Sequence, residues 1–119
     1  FILVYVIWSY LILDLEDIGE APYRIDGLLA HLKLSGHWET LGGLVLGQFT
    51  TNGSPETTPP DVQAVLEAYT SDAPFPVLSG LNYGHIPTTQ PVPLGRRARL
   101  DVHGEQIDFT LLEPLVTPA

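Results

Sequence analysis

Histidine and carboxylate side chains are the groups of this chain best suited to moving protons near neutral pH. The histidines are His31, His37, His85 and His103. His85 sits in a stretch punctuated by Gly80, Gly84, Pro87, Pro91 and Pro93, and Glu16 opens the acidic run Glu16-Asp17-Ile18-Gly19-Glu20 behind an apolar segment. Loops and strand ends are where scaffolds present functional groups, so Glu16 and His85 form the best candidate pair for proton transfer. A histidine base needs a carboxylate on one ring nitrogen and a nucleophile on the other. The serines, Ser9, Ser35, Ser54, Ser71 and Ser79, include none in a G-x-S-x-G elbow. From the residues alone the nucleophile is missing, and a solvated turn acid with a backbone-bonded loop histidine is the stronger account. No H-E-x-x-H or H-x-H spacing occurs and there is no cysteine, so neither a metal site nor a cofactor is expected.

The elements that would carry such a pair follow from pattern. Leu11 to Leu15 reads as a strand ending at the acidic turn, with Glu16 at its C-terminal end. Pro22 suits the first turn of a helix, and Ile25, Leu28, Leu29 and Leu32 recur at i, i+3, i+4 and i+7, with Gly36 as a C-terminal cap. Gly43 to Gly47 is a short apolar run with the character of a buried strand, so strand, helix and strand suggest a parallel crossover. Thr50 to Pro60 reads as an exposed loop, and its Asn52-Gly53-Ser54 as a turn rather than a glycosylation site. Asp61 then caps a second helix to about Tyr69, with Val62, Val65, Leu66 and Tyr69 on one face. Pro76 to Leu78 is a brief strand, and Ala98 to Val102 and Ile107 to Leu112 flank a turn at His103-Gly104-Glu105 as an antiparallel hairpin.

Composition bounds the rest. At 119 residues one domain is expected, and 45% hydrophobic against 16% charged residues is the balance of a folded chain. A formal net charge of −9 offers no footprint for a phosphate backbone, so nucleic acid is excluded as a partner. Arg96, Arg97 and Arg99 are interleaved with acids and read as a solvated strand end. Phe1 to Leu13 is apolar except for Ser9, yet it falls short of the about 20 residues that span a bilayer and lacks a basic n-region. Phe1 to Tyr10 reads instead as a strand apolar on both faces, which must be buried or recruit another chain.

Three segments carry a resemblance. Leu15-Glu16-Asp17-Ile18-Gly19-Glu20-Ala21-Pro22-Tyr23-Arg24-Ile25-Asp26 is similar to the L-E-D-(V/I)-G-E-x-P-Y-R-I-D segment of the serine LD-carboxypeptidases, the muramoyltetrapeptide carboxypeptidase and microcin C immunity protein family. Leu44 to Phe49 resembles that family's strand after the helix, and Gly84-His85 through Pro93-Leu94-Gly95 its G-H…L-P-L-G signature. The interval of 69 residues between Glu16 and His85 also fits, and the resemblance covers about residues 11 to 113.

The resemblance implies a swivelling β/β/α-type α/β domain with a small mixed sheet, a hairpin and two helices. It also implies that Glu16 is the acid and His85 the base of a Ser-Glu-His triad whose serine lies on an absent N-terminal domain. The family releases terminal D-alanine from peptidoglycan tetrapeptides during cell-wall recycling, which implies a muropeptide substrate and a cytoplasmic site. Gly27 stands where arginine is usual and Val92 where leucine is usual. Phe1 to Tyr10 does not resemble the polar linker expected there, so residues 1–10 read as an atypical strand and 11–119 as the family domain. The alternative is a catalytically inactive domain that self-associates through residues 1–10, most simply as a homodimer.

Overall fold

Two successive strand-helix-strand crossovers organise the chain into a parallel sheet. In the computed structural model the described residues are 11–50, 58–114 and 116. Residues 1–10, with the dimer expected of them, and the Asn52-Gly53-Ser54 sequon lie outside the described residues. The elements are β1 (Ile12–Ile18), α1 (Pro22–Leu34), a 3-10 turn (Trp38–Thr40), β2 (Gly43–Thr50), α2 (Pro60–Thr70), β3 (Val77–Ser79), β4 (Ala98–His103) and β5 (Gln106–Leu111). β1, β2 and β3 pair in that order, all parallel, while β4 and β5 form a separate antiparallel hairpin. The parallel and antiparallel parts are thus two sheets rather than one.

The helices cover one face of the parallel sheet. Ile25 and Leu29 of α1, Val62 and Leu66 of α2, and Leu44, Leu46 and Phe49 of β2 form the core with Trp38, Leu41 and Phe75. Trp38 meets the rings of Phe75 and Tyr69 edge-on, with centroids 5.1 and 6.4 Å away. The Tyr69 hydroxyl donates to the Asp26 carboxylate at 2.9 Å and so ties α2 to α1. On the other face Leu100 of β4 lies directly over Gly43, where any side chain would collide with it. The helices and the parallel sheet therefore enclose the apolar core, and the hairpin approaches the sheet's other face at Gly43.

Several local expectations shift. β1 does not stop at Leu15 but runs to Ile18, because Asp17 and Ile18 continue the ladder opposite Phe49 and Thr50. The pairing steps two residues along β1, from Leu15 to Asp17, while β2 advances three, from Leu46 to Phe49. That extra residue is a bulge in β2. Leu28, expected on the buried stripe of α1, is 69% exposed, while Leu32 packs against the core. α2 starts at Pro60, one residue before the Asp61 expected to cap it, and Asp61 stands in its first turn. Gly36 follows the Ser35 cap of α1 with φ 79°, where a C-terminal glycine was expected. Arg97 binds Glu113 at 2.8 Å and Arg99 binds Asp101 at 2.6 Å, which accounts for two of the three neighbouring arginines as exposed pairs.

Candidate active site

Strand alternation sorts the acids of β1 before any side chain is considered. Leu13 and Leu15 pack against the helix-side core, so Asp14 and Glu16 fall on the opposite face. Asp17 returns to the helix side, where its Oδ2 accepts the Glu20 amide N–H at 3.0 Å and shapes the turn into α1. The two adjacent acids of the Glu16-Asp17 pair thus do different jobs. Glu16 faces the bulge of β2 and the loop that follows β3.

That loop is stitched to β2 by its own backbone. The N–H groups of Gly80 and Leu81 donate to the Leu46 carbonyl at 3.0 and 3.3 Å, and the Gln48 N–H donates to the Tyr83 carbonyl at 2.8 Å. The Gln48 side-chain amide donates to the Leu81 carbonyl at 3.0 Å. This close approach needs a bare position at 47: a Cβ there would lie 2.6 Å from the Tyr83 oxygen and 3.2 Å from the Glu16 Cβ. Gly84 carries φ 124°, and a Cβ on it would lie 3.0 Å from Glu16 Oε2. Gly84 so delivers the next residue onto the acid. Gly47→Ala is expected to cost about 1–3 kcal/mol, since backbone must move to admit the methyl group. Chemical denaturation measures that loss, and stability equal to wild type would contradict the close approach.

The result is a contact between residues 69 positions apart: His85 Nδ1 and Glu16 Oε2 are 2.9 Å from each other. Glu16 is mostly covered, with 21% of its side chain exposed, whereas His85 is 58% exposed. A carboxylate on Nδ1 makes that nitrogen the N–H donor and leaves Nε2 as the acceptor in the neutral ring. The arrangement orients an imidazole base and presents it to solvent. It includes no nucleophile, as no described serine hydrogen-bonds His85. The other histidines stand elsewhere: His31 on the exposed last turn of α1, His37 ahead of the 3-10 turn, and His103 at the hairpin end, 4.0 Å from Asp108. Among the described residues no group of three or more His, Cys, Asp or Glu could hold a metal ion. An open cleft of about 810 Å³ runs between the hairpin and residues 78–82 and 90–93, but neither Glu16 nor His85 lines it.

The model of the LD-carboxypeptidase C-terminal domain matches residues 3–100. The chain belongs to the LD-carboxypeptidase family. The match opens at residue 3 and so takes in most of the N-terminal apolar segment. The chain is similar to a Bacillus subtilis protein named for murein peptide carboxypeptidase activity, with 34% identity over 92 residues, 76% of this chain and 28% of the relative. It is also similar to a Synechocystis protein named as a carboxypeptidase, with 33% identity over 99 residues, 82% of this chain and 33% of the relative. Among solved structures, muramoyltetrapeptide carboxypeptidase from Oxalobacter formigenes aligns with a TM-score of 0.65 and 34% identity, over 87% of this chain and 36% of that one. This LD-carboxypeptidase domain therefore spans about a third of the length of the relatives it matches. Among its described residues no helix is long and apolar enough to cross a membrane.

Asp14 is the site residue that motif reading passed over. It precedes Glu16 by two positions on the same face of β1, and both its carboxyl oxygens are buried without a hydrogen-bond partner. Burial first, and the neighbouring Glu16 charge second, raise its pKa from 3.8 to about 6. The Leu15 backbone N–H offsets part of this. The one signal available in the sequence was an acid inside the otherwise apolar run Leu11 to Leu15.

Proposed function

We propose that this domain is the C-terminal catalytic half of a cytoplasmic serine LD-carboxypeptidase, supplying Glu16 and His85 to a Ser-Glu-His triad that releases terminal D-alanine from peptidoglycan tetrapeptides. The observation that carries the reading is the 2.9 Å contact between His85 Nδ1 and Glu16 Oε2, made by residues of two separate family motifs. The serine and the oxyanion donors come from the N-terminal half. His85 Nε2 takes the serine hydroxyl proton as the oxygen attacks the peptide carbonyl, and then returns it to the departing amine of D-alanine. Water, deprotonated by the same nitrogen, hydrolyses the acyl-enzyme and the serine regains its proton. Glu16 holds the Nδ1–H tautomer and stabilises the imidazolium each time it forms.

Self-association through residues 1–10 is a second proposal, and it rests on their apolar sequence alone; a family match that begins at residue 3 favours the first reading. One set of samples tests both. The isolated domain is expected to release no D-alanine from a muramoyl tetrapeptide, because the base has no nucleophile to activate. Mixing it with a separately expressed N-terminal half of a family member restores release. Turnover by the isolated domain that is abolished by His85→Ala and indifferent to every serine substitution would overturn the triad in favour of direct water attack. Light scattering of the same domain across dilution reads its self-association, and a strict monomer would sink the dimer.

A further inference from the structure

The bulge in β2 stands directly opposite Glu16. Pairing runs from Leu15 opposite Leu46 to Asp17 opposite Phe49, so Glu16 faces two residues of β2, Gly47 and Gln48. Leu44, Leu46 and Phe49 all lie in the helix-side core. In an unbroken ladder the alternation of Leu44 and Leu46 would send residue 48 to that side and residue 49 away from it. The bulge resets the alternation one residue late, which returns Phe49 to the core and leaves Gln48 as the half-buried residue of an otherwise buried strand. Its side-chain amide then donates to the Leu81 carbonyl at 3.0 Å, and its backbone N–H donates to the Tyr83 carbonyl at 2.8 Å.

His85 itself belongs to no helix or strand. The Ile86 N–H donates to the Gly84 carbonyl at 2.9 Å, the Gly84 N–H to Thr89 Oγ1 at 3.2 Å, and the Gln90 N–H to the Asn82 carbonyl at 2.7 Å. These bonds shape the loop but do not place it on the sheet, because both partners of each belong to the loop. Glu16 stands on the sheet. The separation of His85 from Glu16 is therefore governed by the bonds that cross between the two, those of Gly80 and Leu81 to Leu46 and those of Gln48 to Leu81 and Tyr83. Among the described residues the Gln48 amide is the side chain that makes such a crossing bond, and it closes on the turn just ahead of Gly84 and His85. We propose that Gln48 is a positioning residue, whose side-chain amide, turned by the bulge onto the Leu81 carbonyl, holds His85 Nδ1 against Glu16. The inference rests on the Glu16–His85 pair of the proposed triad and adds the residue that keeps the pair together. A misplacement of about 1 Å can cost about 10²-fold in rate, so the bond serves kcat rather than substrate affinity.

Nitrogen NMR of this chain, at a pH above the ordinary imidazole range, tests the inference without the missing half. A neutral histidine in water carries its proton mainly on Nε2, whereas a carboxylate at Nδ1 selects the Nδ1–H form. Wild type is expected to show His85 mainly as Nδ1–H. Gln48→Met keeps the length of the side chain without its donor, and the ratio of Nδ1–H to Nε2–H falls by about 2- to 10-fold, the worth of one hydrogen bond. Gln48→Lys restores a donor at similar reach, and with it most of the ratio. Gln63→Met removes an amide bonded to Glu67 within α2 and leaves the ratio in place as the control. An unchanged ratio in Gln48→Met, with only the urea midpoint lowered, marks a merely structural side chain and overturns the inference, as does a Gln48→Lys no better than Gln48→Met. Whether or not the variants fold, a wild-type Gln48 side-chain amide that exchanges with solvent as fast as free glutamine also overturns it. Those results leave the pair standing, whereas a wild-type His85 protonated mainly on Nε2 sinks the pair itself.

Discussion

In the proposed two-domain enzyme, Glu16→Gln is expected to lower the rate constant for D-alanine release by about 10³–10⁴-fold with the fold retained. The size follows from what the amide cannot do. Glu16 Oε2 lies 2.9 Å from His85 Nδ1, and in the proposed triad its charge would offset the imidazolium formed as the serine gives up its proton. Glutamine is nearly isosteric but neutral, and its NH2 can donate to Nδ1 instead. That would hold the wrong tautomer, with Nε2 protonated and unable to accept. The loss is expected in kcat more than in KM, since Glu16 interacts most strongly with the charged ring of the transition state. Asp17→Asn is the comparison. Its carboxylate lies on the helix side and accepts the Glu20 N–H, so it affects the turn into α1 rather than the proton transfer. If Asp17→Asn were the damaging change and Glu16→Gln nearly silent, the triad assignment would be off by one residue.

Asp14→Asn is expected to stabilise the domain at neutral pH by about 2 kcal/mol and to change little near pH 3.5. The folded state raises this acid from 3.8 to about 6, so between those values it binds the proton more tightly than the unfolded chain does. Stability contributed by Asp14 is therefore complete below about 3.8, declines as pH rises, and is lost once pH passes about 6. The full shift corresponds to about 3 kcal/mol at 1.36 kcal/mol per unit. A somewhat smaller gain is expected because the residue as a whole is only half-buried and its amide replacement also finds no partner. The difference between variant and wild type isolates this one group from the other acids of a chain with net charge −9. Urea denaturation of both proteins from pH 3.5 to 7.5 makes the measurement, and a stability difference independent of pH would show that Asp14 is solvated after all.

Much of the architecture was legible locally. Proline at the start of α1, glycine just beyond its end and the Ile25/Leu29/Leu32 spacing mark a helix whose ends and buried stripe are written in consecutive residues. The hairpin is equally local, its two strands joined through Gly104 and Glu105. Glu16 and His85 could be singled out because their residue types and the motifs around them need no neighbour to be recognised. Where local pattern failed, a distant partner intervened. Leu28 fits the apolar spacing of α1, yet the contacts of the helix with α2 and the sheet are narrower than that stripe, and Leu28 remains outside them.

Glu16-Asp17-Ile18-Gly19-Glu20 has the composition of a turn, but the β2 ladder continues opposite it to Thr50 and holds Glu16 inside a strand. That difference decides the site, because only a continued strand separates Glu16 from Asp17 by face and sets Asp14 beside Glu16. The sequence by itself determined the residue types, the helices and the family motifs, all of which rest on short-range sterics, hydrogen bonding and periodicity. The tertiary structure alone decided that Gly47 and Gly84 let a loop close onto β2, that His85 reaches Glu16 across 69 residues, and that the carboxyl oxygens of Asp14 are shielded from water. Distance and burial are properties of packed neighbours, and no local pattern encodes which neighbours a side chain will meet.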